Sequence, residues 1–183
     1  MNGAHERALE HGDRPGVFVG VKGVAVVRQV HVVVDGEPED PAVACVHGIP
    51  GGTRDFRVLA AECKARGLCC VRIDLPGFGR SPAPQRLLTS PAERARLIVA
   101  VMAARGHSRF AVVGHSFGGT AAVATAALHP SSVTALVLCN SVGVTRHRGL
   151  QVPHGLTRQV KHLSKLPVVG DVITAIMGAY LIW

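Results

Sequence analysis

Ser116 stands in the run Gly114-His115-Ser116-Phe117-Gly118-Gly119, and a serine flanked by glycines at these offsets suits nucleophilic attack on an acyl carbon. For that chemistry the hydroxyl must project from the end of a strand where the chain turns sharply into a helix. Such a turn strains the serine backbone, and small neighbours leave room for it. Phe110 to Val113 reads as a short buried strand, and the alanine-rich stretch to Leu128 reads as a helix that His129-Pro130 stops. A helix starting at the serine also aims its positive end at the negative charge that develops on the attacked carbonyl. A second glycine-rich run, His47-Gly48-Ile49-Pro50-Gly51-Gly52, follows the apolar stretch Ala42 to Val46. Acyl transfer needs two backbone N–H groups on the oxyanion. One comes from the residue after the nucleophile and one from a loop of this kind, which designates Phe117 and Ile49.

These groups cooperate only if strands and helices bring them to one end of one sheet. The valine-rich stretch from Val17 to Val34, interrupted at Lys22-Gly23 and closed by Asp35-Gly36, predicts an antiparallel hairpin. Ala42 to Val46, Leu68 to Ile73, Phe110 to Val113 and Val133 to Cys139 are short and apolar on both faces, which is the pattern of buried parallel strands. Helical patterns lie between them. One runs from Thr53, as its cap, to about Arg66, and another from Pro91 to Arg105 with the proline in the first turn. The alternation predicts an α/β fold, a mostly parallel sheet with helices on both faces. Residues 1–15 read as a loose polar leader and 16–142 as the core. In 143–183 glycine, proline, histidine and arginine are frequent before an apolar tail, so this part reads as a partial cap or lid.

The composition, 183 residues with 48% hydrophobic and 17% charged, is that of one domain with a substantial core. The net charge of +8 does not make a nucleic-acid binder, because the lysines and arginines are scattered and aromatics are only 4%. The five cysteines, Cys45, Cys63, Cys69, Cys70 and Cys139, are odd in number and are expected to be reduced core residues in a cytoplasmic setting. Charges throughout the first 20 residues argue against a secretory signal. The tail from Leu166 to Trp183 is interrupted by Asp171 and two glycines, and is expected to be a buried or cap-type helix in place of a membrane span. No cluster of His, Cys and carboxylates has metal-ligand spacing, so neither a metal nor an organic cofactor is expected.

Taken in chain order, His47-Gly48-Ile49-Pro50, Asp74-Leu75-Pro76-Gly77-Phe78-Gly79-Arg80-Ser81 and Gly114-His115-Ser116-Phe117-Gly118-Gly119 resemble the three successive signatures of the α/β-hydrolase superfamily. The resemblance covers about residues 17 to 142 and implies the first six strands of that fold. It implies Ser116 as nucleophile in an elbow completed by Gly114, His115 and Gly118, with the Ile49 and Phe117 amides as the oxyanion hole. It further implies that His47, next to Gly48, holds its loop, and that Asp74 and the turn after it shape the pocket floor. A serine at the elbow argues against the epoxide-hydrolase and haloalkane-dehalogenase branches, whose nucleophile there is an aspartate. The implied activity is hydrolysis of an ester, thioester or similar acyl bond of a small molecule. The competing reading is a non-catalytic binding or interaction protein that keeps the pocket.

In this family an acid and then a histidine follow the serine. After Ser116 the acidic residue is Asp171, and no histidine follows it. His129, His147, His154 and His162 lie between the two and are expected at a helix end or solvated in the cap. A truncated product of a longer hydrolase is the expectation, with a degenerate relative or a partner chain supplying the missing elements as the alternatives. Val133 to Cys139 is then expected to be an exposed sheet edge.

Overall fold

A computed structural model of the chain describes residues 16–20, 29–83 and 90–142. The chain divides into two compact units, Met1–Val142 and Gly143–Trp183, and every described residue belongs to the first. The expected leader, the cap segment with its three histidines and Asp171, and the apolar tail lie outside the described residues. Among those described, no helix is long and apolar enough to cross a membrane.

Six strands form one sheet in the order β1-β2-β4-β3-β5-β6. The expected hairpin pairs β1 (Val17–Gly20) with β2 (Gln29–Asp35) in antiparallel register, Val19 opposite Val30. β2 is also antiparallel to β4 (Cys69–Ile73), and the remaining pairs are parallel. β3 (Ala42–Val46) lies between β4 and β5 (Phe110–His115), and each of its five residues is buried, as a central strand requires. A turn of 3₁₀ helix, Thr53–Phe56, leads into α1 (Arg57–Ala65), and the two pack Phe56, Ala60 and Cys63 on Val43, Cys45, Cys70 and Val113. On the other face α2 (Pro91–Ala104) and α3 (Phe117–Leu128) pack Leu97, Ile98, Val101, Met102, Ala121 and Ala122 on Ala44, Val46, Val71, Ile73 and Val112. Two apolar layers therefore sandwich the sheet. Their burial stabilises the fold by about 25 cal/mol for each Å² of apolar surface removed from water.

Local chemistry sets where the helices begin. Ser90 Oγ accepts from the Glu93 N–H at 3.1 Å, and Glu93 Oε2 accepts from the Ser90 N–H at 3.4 Å, so α2 opens on a capping box with Pro91 in its first turn. At the earlier helix the cap is Gly52, one residue before the expected Thr53, and Asp55 reaches back to accept from the Gly52 N–H at 3.1 Å. Thr53 is otherwise engaged. Its N–H donates to Asp74 Oδ1 at 2.6 Å and its carbonyl accepts from Arg72 Nη1 at 2.9 Å, so tertiary partners replace the local cap.

β6 (Val133–Cys139) lies at the sheet edge with β5 as its neighbour, and Leu136, Val137 and Leu138 are exposed. Cys139 is exposed with them, which corrects the expectation that all five cysteines are core residues. Cys45, Cys63, Cys69 and Cys70 are buried, and all five thiols are free.

The connections decide where a site can form. The chain passes from β3 to β4 through α1 on one face, and from β4 to β5 through α2 on the other, so β3 is where the strand order reverses. In parallel sheets of this kind the crevice for a ligand opens beyond the carboxyl ends of the strands at that switch point. His47-Gly48-Ile49 leaves the end of β3 and Ser116 leaves the end of β5.

Candidate active site

Ser116 joins β5 to α3 with φ 49° and ψ −118°, a left-handed conformation that serine seldom adopts. Backbone hydrogen bonds hold it there. Its N–H donates to the Cys139 carbonyl at 3.0 Å, and its carbonyl accepts from Gly119 at 3.1 Å and Val142 at 3.1 Å. The turn is tight, and at positions 114 and 118 only glycine fits. A Cβ on Gly114 would lie 2.6 Å from Gly119 Cα, and one on Gly118 would lie 2.3 Å from the Val46 carbonyl oxygen and 2.5 Å from that of His47. The first turn of α3 therefore sits directly on the end of β3.

The same contact brings the second glycine-rich loop to the serine. A Cβ on Gly48 would lie 2.9 Å from Ser116 Cβ and 3.3 Å from His115 Nδ1, so the Gly48 backbone and the serine side chain are immediate neighbours. Among the described residues, the N–H groups of Ile49 and Phe117 donate to no protein acceptor. That of Phe117 is one of the orphan donors at the start of a helix.

His47 is fully buried between the loops that flank the site. Its Nε2 accepts from the Leu75 N–H at 2.9 Å, which leaves the proton on Nδ1 to donate to the Gly48 carbonyl at 2.6 Å. This is a neutral imidazole, and burial pushes its pKa below the usual histidine value of 6.5. The unfolded chain then binds the extra proton between 6.5 and the lower folded value, so stability declines as pH falls through that window. Urea denaturation at pH 7.5 and 5.5 is expected to give a weaker wild-type chain at 5.5. His47→Gln, less stable at both, is expected to lose part of that pH dependence.

Asp74 directly follows β4 and is only 1% exposed. Its Oδ1 accepts from Thr53 N–H, and its Oδ2 accepts from His31 Nδ1 at 2.8 Å and the Arg80 N–H at 2.9 Å. Ser81 Oγ donates to the Asp74 carbonyl at 2.7 Å and accepts from the His31 N–H at 2.8 Å. The carboxylate thus ties β2, the 3₁₀ turn and the 74–81 loop together. It also borders a cleft of about 510 Å³ shared with His31, Thr53, Arg54, Asp55 and Arg80, which Ser116, Ile49 and Phe117 do not line.

Two residues not singled out from the sequence belong to this region. His31 is hidden in a valine run and meets Asp74 only through the pairing of β2 with β4. Arg94 occupies the core-facing stripe of α2, one turn before Ile98, and its guanidinium lies on the Phe117 ring. A cation on an apolar stripe is the signal that marks it.

The family model described as alpha/beta hydrolase fold matches residues 41–177. The chain belongs to this family. An α/β-hydrolase relative, Epoxide hydrolase 3 of Xenopus tropicalis, is 29% identical over 150 residues, 80% of this chain and 41% of the relative. The 2-hydroxymuconate semialdehyde hydrolase of Pseudomonas putida is 37% identical over 95 residues, 51% of this chain and 34% of the relative. Among solved structures, the thioesterase domain from the curacin biosynthetic pathway superposes with a TM-score of 0.65 at 27% identity, over 84% of this chain and 54% of that one. The chain thus spans 41% and 34% of the length of the two curated α/β-hydrolases.

Proposed function

We propose that Ser116 is the nucleophile of a hydrolase for ester, thioester or similar acyl bonds of small molecules, with the N–H groups of Ile49 and Phe117 as its oxyanion hole. The observation that carries the reading is the Ser116 backbone, φ 49° and ψ −118°, at the junction of β5 and α3. A residue held in a sparsely populated conformation costs about 1–3 kcal/mol, and such strain concentrates where a fold needs a side chain aimed at a reacting group. Ser116 Oγ attacks the acyl carbon as a base takes its proton. The carbonyl oxygen becomes an oxyanion between the two amides, and the intermediate collapses to an acyl-serine as the alcohol or thiol leaves with the proton the base had taken. Water then hydrolyses the acyl-serine to release the acid and restore the hydroxyl. Serine in place of aspartate at the bend favours acyl transfer over the epoxide chemistry in the name of the Xenopus relative, and the likeness to a thioesterase domain supports the same choice.

One observation favours the alternative of a pocket that binds without catalysis. Among the described residues, no side chain hydrogen-bonds Ser116 Oγ. Without a base, acyl-transfer sites of this kind keep only about 10³-fold acceleration over water, from binding and the oxyanion hole.

A fluorophosphonate probe separates the two readings. The proposal expects slow covalent labelling of the folded chain to one equivalent, abolished by Ser116→Ala. A folded chain that stays unlabelled after prolonged exposure to millimolar probe would establish the binding reading instead.

A further inference from the structure

Arg94 lies on α2 with Ile98, Val101 and Met102 following it on the core-facing side, and is itself only 5% exposed. Its Cζ is 4.3 Å from the centroid of the Phe117 ring, so the cation rests on the face of the first residue of α3. Its Nη2 donates to Thr120 Oγ1 at 3.4 Å, and Thr120 Oγ1 donates onward to the Phe117 carbonyl at 2.8 Å. One side chain thereby lies on the ring of Phe117 and is linked through Thr120 to its carbonyl.

This placement conflicts with two local rules. Burying a cation is unfavourable, and burial pushes the Arg94 pKa down against the opposing pull of Glu93, although a guanidinium keeps its proton. The start of α3 is also the positive end of its dipole, which repels a cation. The repulsion between this cation and the positive helix end shrinks when negative charge forms there, as on an oxyanion. Departures from local consistency of this kind collect at functional sites.

We infer that Arg94 is a positioning residue of the elbow. It clamps Phe117 so that its N–H keeps its direction, and it places a fixed positive charge behind the oxyanion. The catalytic half of this inference rests on the reading of Ser116 as nucleophile, whereas the clamp stands independently of it.

The test pairs two measurements on the full chain. Hydrogen exchange reads the clamp directly. In Arg94→Met the Gly119 amide, which donates to the Ser116 carbonyl, is expected to exchange faster together with the next amides of α3, while the amides of β3 and β5 keep their wild-type protection. Labelling by a fluorophosphonate reads the charge. The second-order rate constant at Ser116 is expected to fall about tenfold in Arg94→Met, equivalent to ~1.4 kcal/mol in the barrier, and to recover most of that loss in Arg94→Lys. Should Arg94→Met not fold, Thr120→Val cuts the link to the Phe117 carbonyl from a half-buried position and is expected to raise exchange at the same amides. Unchanged exchange in α3 for the folded variants would overturn the inference, as would equal labelling rates for Arg94→Met and wild type. A wild-type chain that never labels would defeat the nucleophile reading alone, and exchange would still decide whether Arg94 is a clamp.

Discussion

Gly118→Ala is expected to destabilise the chain by about 3 kcal/mol, at the upper end of what overpacking a close-packed site costs. Two effects oppose each other here. Alanine is the better helix former by about 1 kcal/mol, and residue 118 is in the first turn of α3. The added Cβ, however, would meet the carbonyl oxygens of Val46 and His47 at 2.3 and 2.5 Å. Both are backbone atoms at the end of the central strand, and they have no side-chain rotation by which to move aside. Relief requires α3 to lift from β3, which carries Ser116 and Phe117 away from Gly48 and Ile49. Fluorophosphonate labelling is therefore expected to disappear even where the variant remains folded. Gly20→Ala is the control, because a Cβ there meets nothing within 4 Å, and its urea midpoint is expected to stay near that of the wild type. Equal midpoints for the two variants would contradict the packing account.

Asp74→Ala is expected to have the largest effect on stability, about 4 kcal/mol, because removing one partner from a buried polar cluster strands the others. Three donors lose their acceptor together, namely the Thr53 N–H, the Arg80 N–H and His31 Nδ1, around a carboxylate that is 1% exposed. Asp74→Asn keeps the shape and one acceptor oxygen, and is expected to lose about half as much. Its amide nitrogen must face either the Thr53 N–H or the pair from His31 and Arg80, and both arrangements oppose donor to donor. Denaturation of the two variants beside wild type measures this order. An Asn variant as unstable as the Ala variant would show that charge, and not acceptor count, is what the cluster needs.

The parts of this fold that are local in sequence were legible in it. The strand from Phe110, the turn at Ser116 and the helix to Leu128 announce themselves through apolar runs, glycines and the His129-Pro130 stop. The helix from Pro91 does so through its proline. What the sequence concealed depends on partners far along the chain. Thr53 has the side chain of a helix cap, but its N–H is taken by Asp74, 21 residues away. His31 and Asp74 are 43 residues apart and meet only because β2 runs antiparallel to β4. The edge position of Val133 to Cys139 follows from the elements that the sequence lacks after it, and that position is what exposes Cys139, which its apolar run alone assigns to the core. Arg94 carried a local signal, a charge on an apolar stripe, whose meaning depends on α3 packing against α2.

The proposed chemistry requires the Ser116 hydroxyl to stand within reach of the Ile49 and Phe117 amides. The most direct measurement is a crystal structure of the phosphonylated chain. The account predicts an adduct on Ser116 Oγ with one phosphonyl oxygen at about 2.7–3.1 Å from both nitrogens. An adduct on another residue, or a phosphonyl oxygen turned away from both amides, would contradict it.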